Sequence, residues 1–240
     1  MPAWCPSSSI GRDPPDGRHS GAMDGVTLLA EVRALGAELG LDALGVCTAE
    51  VFERTRSDLH ERKAAGLSAD MAFTYRNPDR STDPTRALPG ARSIVVAARS
   101  YLRAAPARPS DRPHGAVARY VWEDHYGELR TALRSIGELL ASHGHRCRVV
   151  VDDNALVDRE AAHRAGIGWY GKNANLLLPR RGSWFVLGSL LTDAVLPVDE
   201  PLPDGCGACE RCLTSCPTDA IVAPGVIDAR RCLAWLVQAK

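Results

Sequence analysis

Toward the end of the chain, cysteines fall at Cys206, Cys209, Cys212 and Cys216, with Pro217 directly after the last, a C-x2-C-x2-C-x3-C-P run. This spacing lets three thiolates reach three corners of an iron–sulfur cubane from one tight loop, while the turn before proline carries the fourth away. In two-cluster ferredoxins that fourth thiolate serves the other cluster. A zinc knuckle is the competing reading, but zinc sites pair two C-x2-4-C units or add histidines across a spacer, and nothing suitable follows in the sequence. The run needs reduced thiols. It also divides the chain, because a segment given over to a cofactor leaves the residues before it to build their own core.

At 240 residues there is length for one large domain and a small appendage. Acidic and basic residues balance at 29 each, so net charge gives no argument for bulk attraction to nucleic acid, although a balanced total can hide a basic face. Eight cysteines could suggest disulfides, yet five of them crowd into residues 206–232. No stretch approaches the roughly 20 apolar residues of a membrane span, and residues 1–22 lack the apolar core of a signal peptide. A cytoplasmic protein without membrane contact is expected.

Residues 1–22 are rich in Pro, Ser and Gly without hydrophobic period, which predicts a disordered extension with Met23 as an alternative start. From Asp24, the apolar stripe Val26, Leu28, Leu29, Val32, Leu35 and Leu39 predicts a helix of about four turns ending near Gly40. Leu44–Cys47 reads as a strand, Val51–Ala65 as a helix halted by Gly66, and 67–91 as turns around Tyr75-Arg76-Asn77-Pro78-Asp79-Arg80. Ser93–Ser100 is a buried strand, 103–116 an exposed loop, and Glu123–His143 a second long amphipathic helix. A strand at Arg146–Val151 ends at Asp152, and Leu156–Ala165 is a helix stopped by Gly166. Strand signals at Asn175–Leu178 and Trp184–Thr192 suggest a hairpin around Arg180-Arg181-Gly182. The expected fold class is α+β: a layered domain over 23–198, then a ferredoxin-like segment over 199–240, the two joined by the proline-rich linker VLPVDEPLPD.

Beyond the run, Thr218-Asp219-Ala220-Ile221 and Asp228-Ala229-Arg230-Arg231-Cys232 continue as a ferredoxin does, with Cys232 opening a second motif. By the paired-cluster rule Cys206, Cys209 and Cys212 hold one cubane, while Cys216 and Cys232 belong to the other. Two cubanes need eight ligands and this set has five, so an incomplete or weakly held pair is expected, as for a truncated chain. Cys5, Cys47 and Cys147 read as inert thiols.

The string Val151-Asp152-Asp153-Asn154-Ala155-Leu156-Val157-Asp158-Arg159, then Gly166-Ile167-Gly168-Trp169-Tyr170-Gly171-Lys172-Asn173 and Gly182-Ser183-Trp184-Phe185-Val186-Leu187-Gly188, resembles the signature of epoxyqueuosine reductases in order and in spacing to the cysteine run. The resemblance covers 145–240 closely and 24–144 more loosely. It implies a cobalamin-binding α+β domain followed by two [4Fe-4S] clusters, and reduction of the epoxide of epoxyqueuosine in the anticodon loop of tRNA. It also implies a partner reductant such as a ferredoxin or flavodoxin. A monomer is expected.

Reductive C–O cleavage needs single electrons, a cobalt cofactor and a proton for the departing oxygen. Asp152 is the candidate proton donor: it ends a strand where a carboxyl group can point into a cavity, and burial would keep it protonated near neutrality. The alternative is a helix cap, a role that Asp153 is best placed to take. The glycines around Trp169 would let backbone approach a flat cofactor. By resemblance, Asn173, Leu176 and Leu187 line the corrin and Arg76 meets its polar edge; packed strand residues and a solvated arginine are the plain alternatives. Candidates for tRNA phosphate contact are Arg103, Arg108 and Arg112 in the loop, Arg180 and Arg181 at the turn, and Arg230 and Arg231 beside the cluster.

The chain departs from the family pattern at Tyr120-Val121-Trp122-Glu123-Asp124-His125-Tyr126, where the aromatic and histidine are exchanged and one residue is missing, and at Ala155, where proline is frequent. Two other functions fit parts of the pattern: a cobalamin-dependent reductase of a small molecule, and an electron-transfer protein that binds clusters without catalysis.

Overall fold

A computed structural model describes residues 24–105, 107, 113 and 115–237. The extension 1–22, Met23, Cys5, Arg108 and Arg112 lie outside the described residues. Helix α1 (Gly25–Glu38) starts where the Asp24 carboxylate accepts the N–H groups of Val26 and Thr27, a cap worth about 1 kcal/mol. It buries Leu28, Leu29 and Val32, while Val26 stays 69% exposed, outside the stripe. Strand β1 (Ala43–Thr48), helix α2 (Glu53–Ala64), the short helices α3 (Ala72–Tyr75) and α4 (Pro78–Ser81), and strand β2 (Ser93–Ser100) follow. Helix α5 (His125–Ser142) is capped by the Asp124 side chain on Gly127 N–H at 2.8 Å and turns Leu129, Leu133, Ile136 and Leu140 inward at helical spacing. Strand β3 (Cys147–Val150), helix α6 (Asp158–Arg164), the two-residue strands β4 (Trp169–Tyr170) and β5 (Leu176–Leu177), and strand β6 (Phe185–Thr192) complete the layered part.

Four strands form one antiparallel sheet in the order β1-β2-β6-β3. Alternation along β2 feeds both faces: Ile94, Val96 and Ala98 join α6 and Leu191 in one core, and Val95 and Ala97 join α1 and α5 in the other. That double burial is why β2 reads as an unbroken apolar run. The expected hairpin is not formed. β5 pairs with β4, whereas β6 pairs with β2 and β3, and only a Leu178–Gly182 bridge closes the turn at Arg180. Two apolar stretches flanking a turn signal predict pairing, but β6 pairs along its whole length with β2 and over four residues with β3, and β5 is too short to compete.

Residues 204–237 carry helix α7 (Arg211–Thr214), strands β7 (Ile221–Ala223) and β8 (Val226–Ile227), and helix α8 (Leu233–Leu236). They are stitched to the layered part by Ala229 N–H to Leu67 O at 2.8 Å, Gly225 N–H to Lys172 O at 2.9 Å, and the Trp235 indole N–H to the Asp70 carboxylate. Upstream, Asp199 accepts from Val46 N–H at 2.8 Å and pairs with Arg33 at 2.7 Å, which anchors the proline-rich connection to β1 and α1.

Gly45 allows α6 to close on β1, because a Cβ there would stand 2.0 Å from the Ala165 carbonyl oxygen. Backbone cannot yield as a side chain does, so Gly45→Ala is expected to destabilise by about 3 kcal/mol. Thermal unfolding should register this as a midpoint lower by roughly 6–12 °C; an unchanged midpoint would show that α6 moves freely against the sheet.

Candidate active site and cluster segment

One end of the sheet gathers the residues singled out by sequence. Strand β3 runs antiparallel to β6 with Val150 opposite Ser189 as its last pair, and the chain turns at Asp152 two residues beyond it. At the same end, β2 finishes with Ser100 opposite Phe185, and Tyr101 N–H donates to Trp184 O at 3.0 Å. Arg130 of α5 reaches across to Val151 O at 3.2 Å and ties the helix to the Asp152 turn.

Asp152 is exposed and has φ +52°, a left-handed conformation that aspartate and asparagine tolerate better than most residues. The expected burial of its carboxyl group is therefore corrected: the strand ends one residue earlier and the turn points Asp152 outward. Asp153 takes the local hydrogen-bonding role, accepting Ala155 N–H at 2.9 Å, but the turn it closes precedes the helix rather than capping it.

The carboxyl group that burial does act on is Asp158, at the start of α6. Its Oδ1 is sealed from solvent with no hydrogen-bond partner among the described residues, while the residue as a whole keeps partial exposure. Burial first, then the negative charge of Asp152, pushes its pKa up to about 8 against the pull of Arg159, so it is protonated at neutral pH. Tyr126, in the first turn of α5, is held above its ordinary value by burial and then by the same two carboxylates. Next to it His125 is buried against the Tyr101 ring, 6.0 Å between centroids, so the two exchanged residues occupy different places. Sequence reasoning passed over Asp158 because an acid opening a helix is ordinary surface chemistry.

Of the corrin candidates, Leu176 and Leu187 share one core. Leu176 is buried within it, a floor residue rather than a lining one, whereas Leu187, Val157 and Phe185 are partly buried at its rim. Val157 N–H donates to Ser81 O at 2.9 Å, which brings the segment after Arg76 to the Asp152 turn, and Arg76 itself is exposed. Asn173 closes its own turn by accepting Asn175 N–H at 3.1 Å. The glycines do not present open backbone: a Cβ on Gly168 would meet Leu177 O at 2.4 Å, and one on Gly171 would meet Leu177 and Asn173 side-chain atoms within 2.8 Å. Their role is tight β4–β5 packing, a correction to the expected cofactor approach. An apolar floor, a polar rim and the orphaned Asp158 oxygen nonetheless suit a flat apolar macrocycle with polar edges.

In the cysteine segment, Cys206, Cys209, Cys212, Cys216 and Cys232 are all free thiols, Cys209 exposed and the others half-buried. Cys209 N–H donates to Cys206 O at 2.9 Å, α7 carries Cys212, and Cys232 precedes α8. Cys216 Sγ lies below the usual thiol range because backbone N–H groups of Thr218 and Ala220 point at it, the latter at 3.3 Å. Among the described residues no three His, Cys, Asp or Glu side chains stand close enough to hold a metal. The soft, reduced donor set suits iron–sulfur ligation, whose binding energy closes such loops. By contrast Cys47 is buried, bonded to Ala161 O and pushed up to about 12 by desolvation, while burial also raises Cys147; both are inert thiols, as expected.

Among the described residues, three of the arginines considered for phosphate contact are engaged in ion pairs within the chain. Arg181 pairs with Asp42 at 2.8 Å, Arg230 with Asp228 at 2.7 Å and Arg231 with Asp219 at 3.7 Å.

An α+β layered fold with an acid pair at one sheet end and a following cysteine segment defines a redox protein of the iron–sulfur class. Residues 205–240 match the 4Fe-4S double cluster binding domain, and residues 81–153 match the family described as epoxyqueuosine reductase QueG, DUF1730. The chain is 36% identical over 220 residues to the epoxyqueuosine reductase of Vibrio cholerae, an alignment covering 89% of this chain and 59% of that one. It superposes on the epoxyqueuosine reductase of Streptococcus thermophilus with TM-score 0.83 at 29% identity, over 90% of this chain and 59% of the other. A second such reductase, solved with an epoxyqueuosine-modified tRNA-Tyr stem loop, gives TM-score 0.80 at 33% identity, over 89% and 58%. This chain is similar to epoxyqueuosine reductases along about nine tenths of its length, and spans about three fifths of the length of the relatives it matches. Among the described residues no helix is long and apolar enough to cross a membrane.

Proposed function

We propose that the chain reduces epoxyqueuosine to queuosine in a tRNA anticodon loop, with Asp152 as the proton donor. The observation that carries this reading is the Asp152–Asp158 pair at the open end of the sheet, in a fold shared with a reductase solved on its tRNA stem loop. Reductive loss of an epoxide oxygen as water consumes two electrons and two protons. Asp158, which holds a proton at neutral pH, is the reservoir; Asp152, outward on its turn, relays that proton to the departing oxygen, and solvent supplies the second.

When bound, cobalamin supplies a reducible metal centre for C–O cleavage and the clusters supply electrons singly. Leu187, Asn173 and Arg76 would border the corrin over the Leu176 floor; Cys206, Cys209 and Cys212 would hold one cubane and Cys216 and Cys232 contribute to a second. In this reading 23–198 is the catalytic domain and 199–240 the electron-transfer module. The protein works as a cytoplasmic monomer supplied by a ferredoxin or flavodoxin.

The test is anaerobic reconstitution of the full chain with iron, sulfide and cobalamin, followed by a reductant and a stem loop carrying epoxyqueuosine. Conversion to queuosine, measured by mass, is the expected result. Retention of iron without cobalamin binding would leave an electron-transfer protein and sink the reductase reading.

A further inference from the structure

Beside the acid pair lies a surface that the proton chemistry does not use. Tyr120, Trp122 and Trp184 are 47%, 38% and 42% exposed, and they form one connected group. The Arg119 guanidinium stands 4.9 Å from the Trp184 ring centroid and 5.8 Å from that of Trp122. Tyr101 meets Trp184 edge-on at 6.0 Å and Tyr120 at 6.3 Å. Exposed aromatic rings are ordinarily loose, but the Trp122 ring is held by its own hydrogen bond and the Trp184 backbone by two. The Trp122 indole donates to Val117 O at 3.1 Å, the Tyr101 hydroxyl donates to Ser183 O at 3.1 Å, and Trp184 O accepts from both Tyr101 N–H and Ser100 Oγ at 3.0 Å. Tyr101 also meets His125 at the start of α5, 6.0 Å between centroids, and Arg130 further along that helix bonds Val151 O just before the Asp152 turn.

Rigid aromatic planes with a stacked guanidinium suit unpaired nucleobases, which offer a π-face whatever their sequence, while the cation meets nearby phosphate. A protein partner would also favour Trp, Tyr and Arg. Position decides for RNA: the group adjoins the carboxyl pair, where a nucleoside would have to be presented. Resting on the reading that the substrate is an anticodon-loop nucleoside, we propose that Arg119, Tyr120, Trp122 and Trp184 form a stacking platform for the unpaired bases flanking that nucleoside. The chain would then select looped over duplex RNA at this site.

The experiment measures binding of the full chain to an unmodified anticodon stem loop and to a blunt RNA duplex of equal length, by fluorescence anisotropy across a salt series. Wild type should prefer the stem loop. Trp184→Ala and Trp122→Ala should each weaken stem-loop binding roughly 5- to 100-fold with little change in duplex binding or salt slope, and Trp184→Phe should restore most of the loss. Thermal unfolding of each variant separates loss of the platform from loss of the fold. Stem-loop affinity unchanged in folded alanine variants would overturn the platform and leave the reductase reading standing. A wild type that binds neither RNA would overturn the platform, and failure to convert the epoxyqueuosine stem loop tells separately against the reductase reading.

Discussion

Asp152→Asn is expected to lower the rate of epoxide reduction by about 10²- to 10⁴-fold, the usual contribution of a positioned general acid. Asparagine matches aspartate in size and also accepts the left-handed φ of +52° at this turn, so the fold should be retained. What it removes is the transferable proton. Since Asp152 is exposed and lies outside both hydrophobic cores, the loss should fall on turnover, with RNA binding and the unfolding midpoint close to wild type. Single-turnover conversion of the modified stem loop would decide the matter. A variant within threefold of wild type would mean that another group, or solvent, protonates the departing oxygen.

Asp158→Asn should change how stability depends on pH. Below about pH 4 the Asp158 carboxyl is protonated in both folded and unfolded chains. Between about 4 and 8 only the folded chain keeps the proton, because burial and the Asp152 charge raise its affinity there. Wild-type stability should therefore fall with rising pH across this window, by up to about 1.4 kcal/mol per unit from this group, and the effect levels off above pH 8. Asparagine cannot ionise. The variant should be closest to wild type at pH 5 and more stable at pH 9, by on the order of 3 kcal/mol once partial rehydration of the ionised group is allowed for. Urea unfolding at pH 5, 7 and 9 measures this; parallel curves would mean that Asp158 ionises normally and stores no proton at neutrality. Adding Asp152→Asn to wild type removes a like charge, so the window should end at lower pH.

Features legible in the sequence share a physical cause, which is that they are set by neighbours close along the chain. The stripe of α5 and the unbroken run of β2 were visible because each records its own burial with a fixed period. Asp153 reads as a helix cap, and its bond is indeed local, to Ala155 N–H two residues on, but it closes the turn before the helix instead. Contacts between distant segments were not legible. The pairing of β6 depended on β2, about ninety positions earlier, and so the turn at Arg180 misdirected the hairpin. Gly168 and Gly171 looked like openings for a cofactor, yet the space they leave is filled by Leu177.

For the chemistry the division is similar. Thiolate spacing is local, so the cysteine run by itself determined the iron–sulfur class, and the order of short motifs carried the resemblance to epoxyqueuosine reductases. Which carboxyl group holds a proton at neutrality was decided only in three dimensions, because ionisation follows desolvation and nearby charge: Asp152 ends in solvent, and Asp158 is shut in beside it. The same is true of the aromatic edge, where Tyr101, the Arg119–Trp122 turn and Trp184 come from three stretches, and Tyr101 meets Trp184 because β2 ends where β6 begins.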